Sequence, residues 1–211
     1  VSEGTTILEA ARSIGVNIPS LCYLKDVNEI GACRICVVEV KGARSLVASC
    51  VYPAGEGMEV QTNTERVRRS RKLTLELILS NHRMDCLTCA RNAGCELRQL
   101  ASDMGIDAVR YAADSDTLFP RIESSALHLV RDNSKCVLCR RCTAVCRQHQ
   151  EVGVIGPNDR GFSTHIGSAF DRDLNEVDCV SCGQCIVACP TGALTEQDDT
   201  EKVWAALSDP T

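Results

Sequence analysis

The run Cys136-Val-Leu-Cys139-Arg-Arg-Cys142-Thr-Ala-Val-Cys146 recurs, cysteine for cysteine, as Cys179-Val-Ser-Cys182-Gly-Gln-Cys185-Ile-Val-Ala-Cys189. In a C-x2-C-x2-C-x3-C run, three thiols bind one [4Fe–4S] cluster and the fourth binds its partner. The repeat therefore assigns Cys136, Cys139, Cys142 and Cys189 to one [4Fe–4S] cluster, and Cys179, Cys182, Cys185 and Cys146 to another. The expected geometry is a loop wrapped around a cubane, with the last cysteine of each run opening a helix toward the second cluster. Pro190 follows the second run as the pattern requires, whereas Arg147 stands in that place in the first. Zinc is the alternative for closely spaced thiols, but two identical four-cysteine runs argue against it.

Composition points the same way. With three Phe, three Tyr and one Trp in 211 residues, large side chains cannot fill much core, and small modules of this kind need disulfide or metal staples. The fifteen cysteines are odd in number and grouped in compact runs, which suits metal centres better than a disulfide scaffold. No secretory signal opens the chain, and no apolar run approaches a membrane span. The expectation is a reduced, cytoplasmic metalloprotein with no membrane span. A net charge of −5 excludes nucleic acid as the main partner. The basic run Glu65–Lys72 reads as a solvated or protein-docking helix face.

Along the chain, the capping-box spacing of Thr6 and Glu9 and the stop at Gly15 predict a helix over residues 7–14. Ile18-Pro19 imposes extended chain. Ile35–Val40 and Leu46–Tyr52 read as a hairpin turning at Lys41–Arg44, and Gly57–Thr62 as another strand, making residues 1–63 a small α+β unit. Asn63 or Thr64 caps a long helix, with Val67, Leu75, Ile78 and Leu79 as its apolar positions, ending near Ser80. Leu97–Met104 reads as a second helix stopped by Gly105. Residues 105–126 read as a linker, 153–170 as turns and short strands, and Lys202–Leu207 as a helical turn.

Two further ligand sets remain. Cys22, Cys33, Cys36 and Cys50 follow the logic of a plant-type [2Fe–2S] site: a loop with three cysteines, then a fourth on a returning strand. The first gap is ten residues rather than four, and spacing alone leaves structural zinc open. Gly31 and Ala32 are small enough to let backbone amides approach cluster sulfurs. Those twelve cysteines leave Cys86, Cys89 and Cys95, one ligand short of a [4Fe–4S] site. His82, in H-x3-C-x2-C-x5-C, fills the deficit, and an imidazole in place of a thiolate would raise the potential of that cluster. The alternative is that His82 is an ordinary surface residue. His128, His149 and His165 carry no such arithmetic and read as structural.

In this order and spacing, the four sites resemble the N-terminal iron–sulfur relay region of multi-cluster [FeFe]-hydrogenases of the NAD(P)-linked or electron-bifurcating type. The first two sites also resemble the large iron–sulfur subunit of respiratory complex I. The resemblance rests on Cys22–Cys50, on His82–Cys95, on Val130–Cys136 and on Cys189–Leu194, and spans nearly the whole chain. It implies an α+β architecture in three parts. Residues 1–63 form a β-grasp plant-type ferredoxin domain, short of its first strands. Residues 64–118 form a small helical His/Cys domain and linker, and residues 119–200 a bacterial-type two-cluster ferredoxin domain. Residues 201–211 link to a hydrogen-activating domain outside the chain. Implied partners are a flavin- and NAD(H)-binding subunit, a small [2Fe–2S] subunit and soluble ferredoxin. The corresponding module of an NAD-dependent formate dehydrogenase α-subunit is the same-class alternative, and a zinc-stapled assembly scaffold the alternative of another class.

Overall fold

Thr6 starts the fold: its extended backbone and its side-chain oxygen, 3.3 Å from the Glu9 amide, cap α1 (Ile7–Ser13). Such a cap is worth about 1 kcal/mol. The computed structural model describes residues 1–111 and 122–209; residues 112–121 of the expected linker lie outside the described residues. Ile7, Leu8 and Ala11 of α1 pack with Val38 and Ala48, which belong to β1 (Val37–Val40) and β2 (Val47–Ala48). With β3 (Val60–Gln61) these form an antiparallel sheet in the order β2–β1–β3, with Val37 opposite Ala48 and Glu39 opposite Gln61.

The strands are shorter than the β-rich runs suggest. Cys50 stands in the turn after β2, not on a returning strand, because the Val51 and Tyr52 amides turn back onto the Ala48 carbonyl. That turn carries Cys50 back to Cys36.

Thr64 caps α2 (Glu65–Ser80) through the Val67 amide at 3.2 Å. Val67, Arg71, Leu75 and Leu79 recur every fourth residue along its buried stripe, the spacing of one helix face. The next helix, α3 (Glu96–Asp103), buries Leu97 and Leu100, and Gly105 adopts the left-handed conformation just beyond it (φ +58°).

After β4 (Ile122–Glu123) and β5 (Leu129–Asp132), the first cysteine run enters α4 (Arg141–Ala144), which continues as a wider π-type turn through His149. β6 (Ile155–Asn158) and β7 (His165–Ser168) make a hairpin within the region read as turns and short strands. The second run enters α5 (Gln184–Ala188), followed by β8 (Leu194–Glu196) and α6 (Thr200–Ser208), a longer helix than the single turn expected there. β4, β5 and β8 form a second antiparallel sheet, so Ile122 and Glu123 belong to the ferredoxin-like unit and not to a linker.

Each helix begins before the third cysteine of its run, so the expectation that the fourth cysteine opens it is corrected. Cys146 lies inside the π-type turn, and Cys189 ends α5. Among the described residues no helix is long and apolar enough to cross a membrane.

Candidate metal centres

The N-terminal group is the tightest. Cys22, Cys33, Cys36 and Cys50 are all buried. The Cys22 amide lies 3.4 Å from Cys33 Sγ, the Cys33 amide 3.5 Å from Cys22 Sγ, and the sulfurs of Cys36 and Cys50 are 3.3 Å apart. Hydrogen bonds from Cys33 and Cys50 pull the Cys22 thiol far down, and the Cys50 contact pulls Cys36 to about 6. Cys33 is pushed up by its bond to Cys22, and Cys50 by its bonds to Cys22 and Cys36. Four thiols competing for shared protons in a dry core fit a cationic centre, which would hold all four as thiolates.

The paired runs share more than spacing. Leu138 and Arg140 in the first run have left-handed backbones (φ +51° and +61°), and Ser181 and Gly183 do at the equivalent positions of the second (φ +54° and +71°). Two left-handed residues per run coil the backbone and turn successive thiols inward. Cys136, Cys139, Cys142 and Cys189 feel one another electrostatically. Burial pushes Cys136 to about 12 and Cys139 to about 11. Cys146, Cys179, Cys182 and Cys185 line one apolar cavity with Val152, Val154, Ile155 and Leu194. The fourth cysteine of each run thus lies near the first three of the other.

The third group is built differently. His82 follows α2, and Cys86 and Cys89 occupy successive turns, with the Thr88 amide on the Asp85 carbonyl and the Cys89 amide on the Cys86 carbonyl. Cys95 stands at the start of α3. No direct side-chain bond joins these four among the described contacts. Burial holds the His82 imidazole below its ordinary pKa, against the opposing pull of the Lys135 backbone. Its Nδ1 is buried without a hydrogen-bond partner. A neutral ring held at one edge with an unpaired buried nitrogen has the form of a metal-ligating histidine.

This third group leans on the loops of the ferredoxin-like unit. The Arg83 amide donates to the Ser134 carbonyl (2.9 Å), Arg91 Nη2 to the Cys189 carbonyl (2.9 Å) and the Glu96 amide to the Pro190 carbonyl (3.1 Å). Lys135 Nζ pairs with Asp85 at 3.1 Å, and Arg141 grips Glu96 with two bonds of 2.6 and 2.8 Å. Gly192 fits so closely that a Cβ there would sit 2.5 Å from Cys89 Sγ.

Four residues at these junctions escape sequence reasoning. The buried Asn28 amide donates to two carbonyls, those of Cys22 (2.8 Å) and Cys139 (2.9 Å), and so joins two cysteine groups. Arg71, Arg131 and Arg141 are buried guanidinium groups, each with at least one unpaired N–H. The one sequence signal is the position of Arg71 on the apolar stripe of α2. Leu21, Cys22, Cys33, Leu75, Leu97 and Cys139 form a single core, with Cys95 packed against it, so three of the four groups share one apolar junction.

Among the described residues, no three His, Cys, Asp or Glu side chains converge tightly enough to hold a single metal ion. A cluster spreads its ligands over separate irons and suits looser grouping.

Residues 1–65 match a 2Fe–2S iron–sulfur cluster binding domain, residues 71–110 the NADH-ubiquinone oxidoreductase-G iron–sulfur binding region, and residues 135–193 a 4Fe–4S dicluster domain. The chain is 41% identical over 215 residues to the NADP-reducing hydrogenase subunit HndD of Solidesulfovibrio fructosivorans, covering 100% of itself and 36% of that protein. It is 37% identical over 201 residues to the NADPH-Fe(3+) oxidoreductase subunit alpha of Geobacter sulfurreducens, covering 92% of itself and 22% of the relative. The chain thus spans well under half the length of these curated relatives. A chain in the crystal structure of an NAD+-reducing [NiFe]-hydrogenase in the H2-reduced state superimposes with a TM-score of 0.82 at 28% identity, over 93% of this chain and 82% of that one.

Proposed function

On the premise that this chain is an iron–sulfur region homologous to those of NAD(P)-linked hydrogenase and NADH-quinone oxidoreductase subunits, we propose that it is the electron-relay part of a hydrogenase. The observation that carries this reading is the shared junction: Cys22, Cys33, Cys95 and Cys139 meet around one apolar core. The ligand sets are Cys22, Cys33, Cys36 and Cys50 for one [2Fe–2S] cluster, and His82, Cys86, Cys89 and Cys95 for a [4Fe–4S] cluster. Cys136, Cys139, Cys142 and Cys189 hold a second [4Fe–4S] cluster, and Cys179, Cys182, Cys185 and Cys146 a third. His82 ligates through its unpaired nitrogen.

Bound there, such clusters supply one-electron redox chemistry. The protein holds them close, keeps water out with Leu21, Leu75 and Leu97, and fixes their spacing through Asn28 and Arg91. The N-terminal and His82 groups both abut the Cys136 group, which shares a core with the Cys146 group, so the layout is two branches meeting at one centre that leads to a fourth.

The divisions at 63, 118 and 200 are read from the sequence, and the β-grasp reading of the first part rests on its helix-and-hairpin order. Expected partners are a flavin- and NAD(H)-binding subunit, a small [2Fe–2S] subunit and soluble ferredoxin, in the reducing cytoplasm that fifteen unpaired thiols suit. The relatives do not favour the formate dehydrogenase alternative. The catalytic centre served is an iron-only one on the resemblance of the four cysteine motifs to those of the [FeFe]-hydrogenases. The likeness to a chain of an [NiFe]-hydrogenase, 82% of it covered, supports a second reading with a nickel–iron centre, and nickel analysis of the purified complex separates the two.

Iron and sulfide analysis with EPR of the dithionite-reduced protein tests the relay. We expect one [2Fe–2S] and several [4Fe–4S] signals; zinc without reduced-cluster signals overturns it. In His82→Cys, iron content should hold while one [4Fe–4S] potential falls. An unchanged titration removes His82 from the ligand set.

A further inference from the structure

β5 alternates buried Leu129 and Arg131 with half-buried Val130 and Asp132. Successive strand residues point to opposite faces, so Arg131 faces the core alongside Leu129. Its side chain is 5% exposed. Among the described residues its charge reaches Asp171 and Cys136, and its one ion pair is with Glu123, directly opposite on β4, with Nη2 3.5 Å from Oε2. That contact is long, and the other Glu123 oxygen already accepts bonds from the Ser125 amide and hydroxyl. Nε and Nη1 of Arg131 are buried with no partner at all.

A buried guanidinium with idle donors is costly unless something accepts them. Arg131 also lines the apolar cavity of Cys146, Cys179, Cys182 and Cys185. Thiolate-bound sulfur is the acceptor that this cavity would offer, and charge-assisted donors to it are strong.

We propose that Arg131 is a tuning residue: its spare N–H groups donate to the sulfur of the centre held by Cys146, Cys179, Cys182 and Cys185. Its charge, set against that of Glu123, then raises the reduction potential of that centre. The inference rests on the iron–sulfur reading above. Net charge and hydrogen bonds to sulfur are established determinants of cluster potential. The Glu123 carboxylate partly offsets the Arg131 charge, so the two residues act with opposite signs on one centre.

EPR-monitored redox titration of the anaerobically purified protein tests this with three variants. Arg131→Met should lower the potential of one [4Fe–4S] centre and leave the [2Fe–2S] centre in place. Glu123→Gln should raise that same potential, and Arg131→Lys should fall between Arg131→Met and wild type. A merely structural ion pair would give shifts of one sign in both unpairing variants, and that result overturns the proposal, as does an unmoved potential in Arg131→Met. Should Arg131→Met fail to fold, a rise in Glu123→Gln together with a potential below wild type in Arg131→Lys decides it. Absence of any [4Fe–4S] signal in wild type defeats the cluster reading itself and is distinct from these results.

Discussion

The N-terminal thiol group and the His82 group are built in opposite ways. Cys22, Cys33, Cys36 and Cys50 come from one small unit, are all buried and touch one another. His82, Cys86, Cys89 and Cys95 lie half-exposed on turns between α2 and α3 and lean on residues 132–135 and 189–192 of another unit. The first site is closed by thiol contacts within one unit, with Cys36 and Cys50 in that unit's own core and Cys22 and Cys33 on the apolar junction it shares with α2, α3 and Cys139. The second is a seam, complete only while two units stay docked.

Gly192→Ala probes that difference most sharply. The added methyl would meet Cys89 Sγ at 2.5 Å against a backbone held by Thr191 Oγ1 on the Lys135 carbonyl. We expect the [4Fe–4S] signal of the His82 group to be lost, with iron content falling to match, while the [2Fe–2S] signal persists. Loss of both signals would break the comparison.

Glu96→Ala acts on the docking rather than the ligands. It leaves the Arg141 guanidinium, 8% exposed, without its two carboxylate bonds. Because Glu96 is nearly half-exposed, the cost is about 1–3 kcal/mol, read as a lower urea midpoint for the unit around residues 82–103. The N-terminal transition should hold still; if both move together, the units are one cooperative block and the seam is not separable.

Arg91→Met is the mildest change. Removing the single bond to the Cys189 carbonyl should cost about 1 kcal/mol and speed iron loss from the His82 group alone under chelator. An equal acceleration at the N-terminal group would show that the two sites share one opening motion.

The legible parts of the molecule are those with local causes. Thr6 and Thr64 cap their helices because a short polar side chain reaches an amide three residues on, a relation contained in the sequence. The paired runs were legible as equivalent loops because the spacing of a cysteine-rich loop is itself a local geometry, down to Leu138 and Ser181 sharing a left-handed backbone. β4, β5 and β8 escaped notice because strands of two to four residues carry too little alternation and exist only through pairing. The buried arginines escaped for a related reason. Arg71 looked like part of a solvated basic run, yet Val37 offers its carbonyl 2.7 Å away, and no neighbour in sequence announces that partner. The arithmetic that singled out His82 fixes a residue type but not a ring orientation, so the unpaired Nδ1 is visible only in the fold.

The Asn28 bridge has a consequence for biogenesis. Its two acceptors lie on residues 22 and 139, so one amide ties neighbouring chain to chain 111 residues away. On a growing polypeptide the near bond can close early, while the far one must wait until Cys139 has emerged and its loop has coiled. Contacts of such long sequence separation form late in folding. The spacing between residues 22 and 139 is therefore set only once the first cysteine run is in place.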